Sequence, residues 1–177
     1  MVLFRKFILY IATSLDGYIA REDGNIDWLS IVEVKNEDYG YKKFLSSIDT
    51  IIMGRKTNDK VLSFDEFPYP DKKCYVVTRT ERPPDRWVNF WSRDVSELLS
   101  MIRREDGLNI WLVGGGELIH EFSTKNLIDE YIVSIIPIIL GSGIPLFRSG
   151  EPEVRLGLLG SSVFQSGLVQ LIYKRKG

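Results

Sequence analysis

Short apolar runs alternate along this 177-residue chain with segments in which apolar residues keep helical spacing. The runs have the length of strands, and the segments between them have the pattern of helices with one buried face. Strands that alternate with helices build an α/β domain, in which helices cover both faces of a mostly parallel sheet. Seven strands are predicted, at residues 7–12, 50–53, 74–78, 88–91, 110–113, 131–136 and 169–173, and an eighth near 155–164.

Three helices are predicted between these strands. The first presents one apolar stripe, formed by Tyr41, Phe44, Leu45 and Ile48. The second begins at Asp94, whose carboxylate can accept hydrogen bonds from the free amides of the first turn. The third opens inside the glycine triplet at residues 114–116 and runs through Leu118, Ile119 and Phe122.

Charge and cysteine content limit the partners and the compartment. The chain has 23 Lys and Arg against 24 Asp and Glu, which argues against nucleic acid or an anionic membrane as a partner. Cys74 is the only cysteine, so an internal disulfide and a multi-cysteine metal site are excluded, and a reducing, cytoplasmic location is expected. No metal site is predicted. One domain is expected to cover residues 1–177.

The glycine triplet is the strongest local signal for a ligand. An apolar strand runs directly into residues 114–116, and a helix follows. The first amides of a helix have no intrahelical partner and the helix dipole is positive there, so a phosphate can be held by backbone alone. A tight strand-to-helix turn without a ligand explains the same pattern, and the GxGxxG fingerprint is absent.

Cations follow two of the predicted strands. Arg55 and Lys56 come directly after residues 50–53 and Gly54, and Arg79 ends the strand at 74–78. Ligands of α/β sheets bind beyond the carboxyl ends of the strands, so these side chains are placed to meet an anion such as a ribose 2′-phosphate. Solvated surface arginines are the alternative.

An acidic pair, Glu37 and Asp38, lies at the start of the first predicted helix. Acidic residues are ordinary in a first helical turn because they complement the helix dipole. Both are also close to the apolar stripe, and a carboxylate turned toward an apolar pocket has a raised pKa and can serve in proton transfer. Periodicity does not choose between Glu37 and Asp38.

Four motifs in one order carry a resemblance to a known family. They are residues 14–20 (SLDGYIA), residues 53–57 (MGRKT), residues 113–118 (VGGGEL), and residues 129–130 followed by Pro137, Leu140, Gly141, Gly143, Pro145, Leu146 and Phe147. The chain thereby resembles the dihydrofolate reductase superfamily, in particular small proteins similar to the C-terminal reductase domain of bacterial riboflavin-biosynthesis deaminase-reductases. The resemblance spans nearly the whole chain and implies a three-layer sandwich around a mostly parallel sheet of about eight strands.

The resemblance also implies an NADPH site. It places Gly114, Gly115, Gly116, Glu117 and Leu118 at the pyrophosphate, Gly54, Arg55, Lys56 and Thr57 toward the adenosine end, and Thr78 and Arg79 beside the 2′-phosphate. It further implies that Ala12 and Ile19 line the nicotinamide, and that Trp28 lies in a mobile loop above it.

In dihydrofolate reductase an acidic residue of the first helix assists protonation of the pterin. Counted back from the MGRKT motif, that position is Asp38 here, which favours Asp38 over Glu37 as the catalytic acid. Ser134 matches the threonine that supports this acid, and Trp28, Tyr41 and Ser134 are the expected substrate contacts.

The activity that the resemblance implies is hydride transfer from NADPH to a small pyrimidine- or pterin-like substrate. The most similar reaction is the reduction of 5-amino-6-(5-phosphoribosylamino)uracil in riboflavin biosynthesis, and dihydrofolate reduction is the alternative. A nucleotide-binding module without turnover is the alternative of another class. The resemblance further implies a homodimer.

Overall fold

A central sheet organises the chain, for which a computed structural model describes residues 4–177. The strands are β1 (Phe7–Ser14), β2 (Tyr18–Ala20), β3 (Ile48–Gly54), β4 (Lys73–Val77), β5 (Val88–Trp91), β6 (Asn109–Gly114), β7 (Glu130–Ile136), β8 (Ile144–Pro145), β9 (Leu156–Val163) and β10 (Val169–Arg175). Eight of them form one sheet in the order β5-β4-β3-β6-β1-β7-β10-β9, and β2 pairs with β8 separately. Strand β10 is antiparallel to both neighbours, whereas the other pairs of the large sheet are parallel. The mostly parallel sheet of about eight strands is confirmed.

Helices cover both faces of this sheet. They are α1 (Tyr41–Ser46), α2 (Arg55–Val61), α3 (Val95–Arg103) and α4 (Gly116–Thr124), and a 3-10 helix covers Asp27–Val32. Buried residues of α3 and α4 pack in one core, whereas those of α1 and α2 pack in a second core on the opposite face. The predicted three-layer α/β class is therefore confirmed.

The alternation of side chains along β1 decides which residues face each layer. Phe7 and Leu9 are fully buried against α3 and α4, whereas Ile8 and Tyr10 point to the face that α1 covers. Successive side chains of a strand point to opposite faces, so Ala12 shares the α1 face with Tyr10. This register directs Tyr10 and Ala12 toward the cavity described below.

The first predicted helix extends too far at both ends. Glu37 and Asp38 lie in turns before α1, because Asn36 and Tyr39 have positive φ angles of 67° and 54°, which right-handed helix excludes. At the other end, Ile48 pairs with Asn109 and belongs to β3 rather than to the helix. The helix α2 was not predicted.

The predicted start of α3 at Asp94 is confirmed. The Asp94 carboxylate accepts a hydrogen bond from the Ser96 amide at 2.7 Å and pairs with Lys125. The side-chain hydrogen bond from Lys125, followed by the bonds from Ser96, lowers the pKa of Asp94 from 3.8 to about 2. A carboxyl group with a lowered pKa stabilises the fold above its unfolded-state pKa, and this contribution is lost as the pH falls through the folded-state pKa.

We therefore expect Asp94→Asn to lower the melting temperature at neutral pH, and this deficit to shrink between about pH 4 and pH 2. Asparagine keeps an acceptor oxygen for the Ser96 amide but loses the charge beside Lys125, as protonation of Asp94 does in the wild type. Thermal unfolding followed by circular dichroism across this pH range measures the difference. A deficit of constant size at every pH would contradict the assignment.

Candidate functional site

The glycine triplet forms a backbone cradle at the carboxyl edge of the sheet. Gly114 and Gly115 have φ angles of 130° and 90°, and Gly115 precedes α4 without a side-chain cap. A Cβ on Gly116 would lie 2.7 Å from Cγ2 of Ile144 and 3.8 Å from Cδ1 of Ile19. Only glycine fits here, and the first amides of α4 are left for a ligand.

The end of β3 lies against this cradle. A Cβ on Gly54 would be 3.6 Å from the carbonyl oxygen of Gly114, and a Cβ on Gly115 would be 3.4 Å from Oγ1 of Thr57. Thr57 lies in the first turn of α2, together with Arg55 and the exposed Lys56. The structure therefore brings the glycine triplet and the MGRKT motif together. Neither motif alone predicts this proximity.

The predicted cations continue this edge toward β4. Gly54 pairs with Val77 in the parallel ladder, so Arg55 and the Thr78–Arg79 segment follow adjacent strand ends. Arg55 lies 3.5 Å from Asp59, and Arg79, whose side chain is 91% exposed, lies 3.4 Å from Glu117 of α4. Both ion pairs are solvent-exposed and therefore weak. The guanidinium groups of Arg55 and Arg79 are thus available to an anion that binds them more strongly than these carboxylates do.

A cavity of about 670 Å³ opens on the α1 face, beside the end of β1. It brings together the predicted residues Ala12, Asp38, Tyr41 and Ser134, and Glu37 as well. The other lining residues are Tyr10, Leu29, Val32, Glu33, Val34, Lys35, Tyr39, Ile136 and Leu168. Aromatic and aliphatic walls with a few polar groups are typical of sites for flat heterocycles.

The two acids differ in what their carboxylates bind. Asp38 accepts hydrogen bonds from the amides of Lys42 and Gly40, both at 3.1 Å, and these bonds lower the pKa of the Asp38 carboxyl. The expectation that burial raises the pKa of this acid is wrong, because Asp38 is partly exposed and its amide partners favour the charged form. Glu37 accepts from the amide of Tyr39 at 2.8 Å.

Ser134 belongs to a polar network at the floor of the cavity. Nε2 of Gln170 donates to Oγ of Ser134 at 3.1 Å and to the carbonyl oxygen of Tyr39 at 3.4 Å. Within the described chain, no hydrogen bond joins Ser134 to Asp38; Ser134 is held by Gln170, and Asp38 is held by the amides of Gly40 and Lys42. Sequence analysis missed Gln170, although a polar residue in a buried apolar strand is a signal for such a network.

Tyr10 and Tyr41 both line the cavity, but only Tyr41 was predicted as a substrate contact. Burial raises the pKa of both Tyr10 and Tyr41, so each phenol is protonated at neutral pH and can donate a hydrogen bond. The rings of Tyr10 and Phe44 stack with centroids 4.3 Å apart. Tyr10 could have been found from the sequence, because it stands two residues before Ala12 in β1 and therefore points to the same face of the sheet.

Trp28, a predicted substrate contact, packs behind the residues that line the cavity and is not one of them. It belongs to the 3-10 helix and is only 2% exposed. Its side chain packs in a cluster with Val32, Ile136 and Leu168, which are cavity residues. The structure therefore shows Trp28 as a buried residue of a short helix, and its predicted place over the nicotinamide stays a prediction.

Residues 4–177 contain neither a metal-binding cluster nor a membrane-spanning helix. In that part of the chain, no group of at least three His, Cys, Asp or Glu side chains could hold a metal ion. No helix there is long and apolar enough to cross a membrane. Nδ1 of His120, the only histidine of the chain, lies 2.9 Å from a carboxylate oxygen of Glu151.

Comparisons with known proteins identify the family of this chain. The RibD C-terminal domain family matches residues 5–170. The uncharacterized protein YwjB of Bacillus subtilis (strain 168) is 45% identical over 174 residues, which cover 97% of this chain and 98% of YwjB.

Solved structures share the fold. A putative riboflavin biosynthesis protein from Shewanella sp. PV-4 is 35% identical, with a TM-score of 0.88 over 97% of this chain and 99% of its own. Dihydrofolate reductase from Enterococcus faecalis, solved in complex with NADP(H) and RAB-propyl, has a TM-score of 0.69 at 17% identity, and the match covers 100% of both chains. The predicted resemblance to both groups is confirmed, and at 17% identity the second comparison shows the fold alone.

Proposed function

This chain belongs to the family of RibD C-terminal domains, and we propose that it is a reductase that transfers hydride from NADPH to a pyrimidine- or pterin-like heterocycle. One observation carries the proposal: the end of β1 separates the glycine cradle from the aromatic cavity. Ala12 lines the cavity, while Cδ1 of the preceding Ile11 would be 3.8 Å from a Cβ on Gly114. A nicotinamide ring at the end of β1 would therefore meet a heterocycle in the cavity.

The residues on the cradle side fit a dinucleotide phosphate. The amides that follow Gly115 would hold the pyrophosphate, with Thr57 beside them, because close approach needs a position without a Cβ. Arg79 and Thr78 would hold the 2′-phosphate, and Arg55 and Lys56 would lie toward the adenosine end. NADPH supplies the hydride when it is bound, so the chain itself contributes position and electrostatics.

The cavity residues would orient the heterocycle. Tyr10 and Tyr41 present phenol donors beside aromatic rings, and Ser134 presents a hydroxyl held by Gln170. The Asp38 carboxylate has a lowered pKa, so at neutral pH it accepts hydrogen bonds from ring or amino N–H groups. Asp38 is accordingly proposed as the orienting acid of the reaction.

Titration with NADPH, followed by nicotinamide fluorescence and by calorimetry, tests the proposal. We expect saturable binding, and oxidation of NADPH with at least one member of a panel of dihydrofolate, 5-amino-6-(5-phosphoribosylamino)uracil, its unphosphorylated form and simple imines. Absence of saturable binding would overturn the reductase proposal. Binding without turnover on the whole panel would favour the nucleotide-binding module instead.

A further inference from the structure

Negative charge dominates the lining of the substrate cavity. Its charged lining residues are Glu33, Glu37 and Asp38 against the single ammonium of Lys35. Lys42 is exposed next to Asp38 and adds one positive charge outside the lining. Even with Lys42 counted, the acidic groups around this cavity outnumber the basic ones.

A second recess of about 250 Å³ shares one wall with the cavity. The shared residues are Val34, Glu37 and Tyr39, and the far side consists of Val163, Phe164, Gln165 and Ser166. The ring of Tyr39 stands between the two spaces, with its hydroxyl donating to the Val32 carbonyl oxygen at 2.5 Å. A substituent that extends past Tyr39 would meet the carboxylate of Glu37, and no Lys or Arg of the described chain lines this recess.

The cations of the carboxyl edge lie on the other side of β1. Arg55, Lys56 and Arg79 follow β3 and β4, on the cofactor side of the sheet. Across residues 4–177, the lining of the cavity and of the second recess contains no arginine. Arginine forks, lysine ammonium groups and helix N-termini are the usual partners of a phosphate group. Of these the cavity lining, in the part of the chain that the structure describes, offers only the ammonium group of Lys35, beside three carboxylates, whereas the arginines lie on the cofactor side.

We propose that the substrate of this chain carries no phosphate group and is a neutral or positively charged heterocycle, such as a free aminopyrimidine or an unphosphorylated ribosylamine. This inference rests on the proposed function, because it assigns the cavity to the substrate. A phosphate dianion in the cavity would be repelled by Glu33, Glu37 and Asp38, whereas a ring or amino N–H would be attracted. The acidic rim thus selects substrates by charge.

A matched pair of ligands tests the charge selection: 5-amino-6-(ribosylamino)uracil and its 5′-phosphate. Dissociation constants are measured by calorimetry with NADPH present, at low and high salt. We expect the unphosphorylated compound to bind at least about tenfold more tightly at low salt, because like charges placed together cost affinity. The preference should decrease at high salt, since screening weakens interactions between exposed charges.

Charge reversal at Glu33, one of the acidic residues of the cavity lining, is the second part of the experiment. Glu33→Lys is expected to reduce the preference about fivefold or more by strengthening binding of the phosphate. Glu153→Lys makes the same charge change before β9, at the end of that strand away from Val163, and is expected to leave the preference unchanged. Melting temperatures confirm that both variants are folded.

Three outcomes would overturn the inference. They are equal or tighter binding of the phosphate, a preference that neither salt nor Glu33→Lys alters, and no saturable binding of either compound. The proposed function fails separately, through the absence of NADPH binding in the same calorimeter without either compound. Tight binding and reduction of the phosphate would leave the reductase proposal standing and refute only the charge selection.

Discussion

Replacement of Gly115 by valine is expected to weaken NADPH binding by at least about 100-fold. Gly115 has a φ of 90°, which a β-branched residue does not adopt without strain, and its Cβ would lie 3.4 Å from Oγ1 of Thr57. Relief of that strain would turn the amides at the start of α4 away from the phosphate position. Fluorescence titration with NADPH measures the change.

Gly150 offers a matched control for this substitution. Its φ is 89°, and a Cβ there would have nothing within 4 Å. Gly150→Val therefore carries a similar backbone strain outside the cradle, and we expect it to lower the melting temperature while NADPH affinity stays within about twofold. Equal loss of affinity in the two variants would show that strain alone, and not the cradle, weakens binding.

The fold could be predicted wherever the signal was local. The buried strands were found from apolar runs, and α3 was found from the capping residue Asp94. The helix α2 was not found, because its seven residues, RKTNDKV, form no apolar stripe and only Asn58 and Val61 are buried. The end of the first helix before Ile48 was also not predicted, because Ile48 pairs with Asn109, a residue that is distant in the sequence.

The approximate location of the candidate site could be predicted because its motifs are also local. The cofactor motifs lie at strand ends, and the parallel order of β3, β4 and β6 brings those ends together. The polar floor of the cavity depends on contacts that no local pattern specifies. Gln170 reaches Ser134 across the pairing of β10 with β7, and it reaches Tyr39 over a separation of 131 residues.

The proposed charge selection fits the exposure of the acids to solvent. A buried unpaired carboxylate would become protonated, whereas Asp38, held by two amides, keeps its charge. Tyr10 and Ser134 provide neutral hydrogen-bond donors, and Asp38 provides an acceptor. The N–H and carbonyl groups of a heterocycle can therefore both form hydrogen bonds. Under the proposed function, Tyr10 and Ser134 would therefore fix the binding geometry, and Asp38 would supply the electrostatic contribution.

Asp38→Asn is expected to lower kcat/KM about 100-fold for the best substrate, with NADPH affinity unchanged. The amides of Gly40 and Lys42 donate to different oxygens of the Asp38 carboxylate, so asparagine keeps one of these two hydrogen bonds and loses the charge. The melting temperature of the variant shows whether the turn before α1 is preserved. Glu37→Gln is the matched comparison, since glutamine likewise retains an acceptor for the Tyr39 amide. We expect Glu37→Gln to change kcat/KM by less than about threefold.

The pH dependence separates an orienting carboxylate from a proton donor. The amides of Lys42 and Gly40 hold the pKa of Asp38 below 3.8, so its carboxylate is ionised at every pH above about 5. The ratio of wild-type to Asp38→Asn kcat/KM should therefore stay constant between about pH 5 and pH 8. A ratio that falls toward high pH would indicate an acid with a raised pKa, and a larger loss in Glu37→Gln would identify Glu37 as the functional acid.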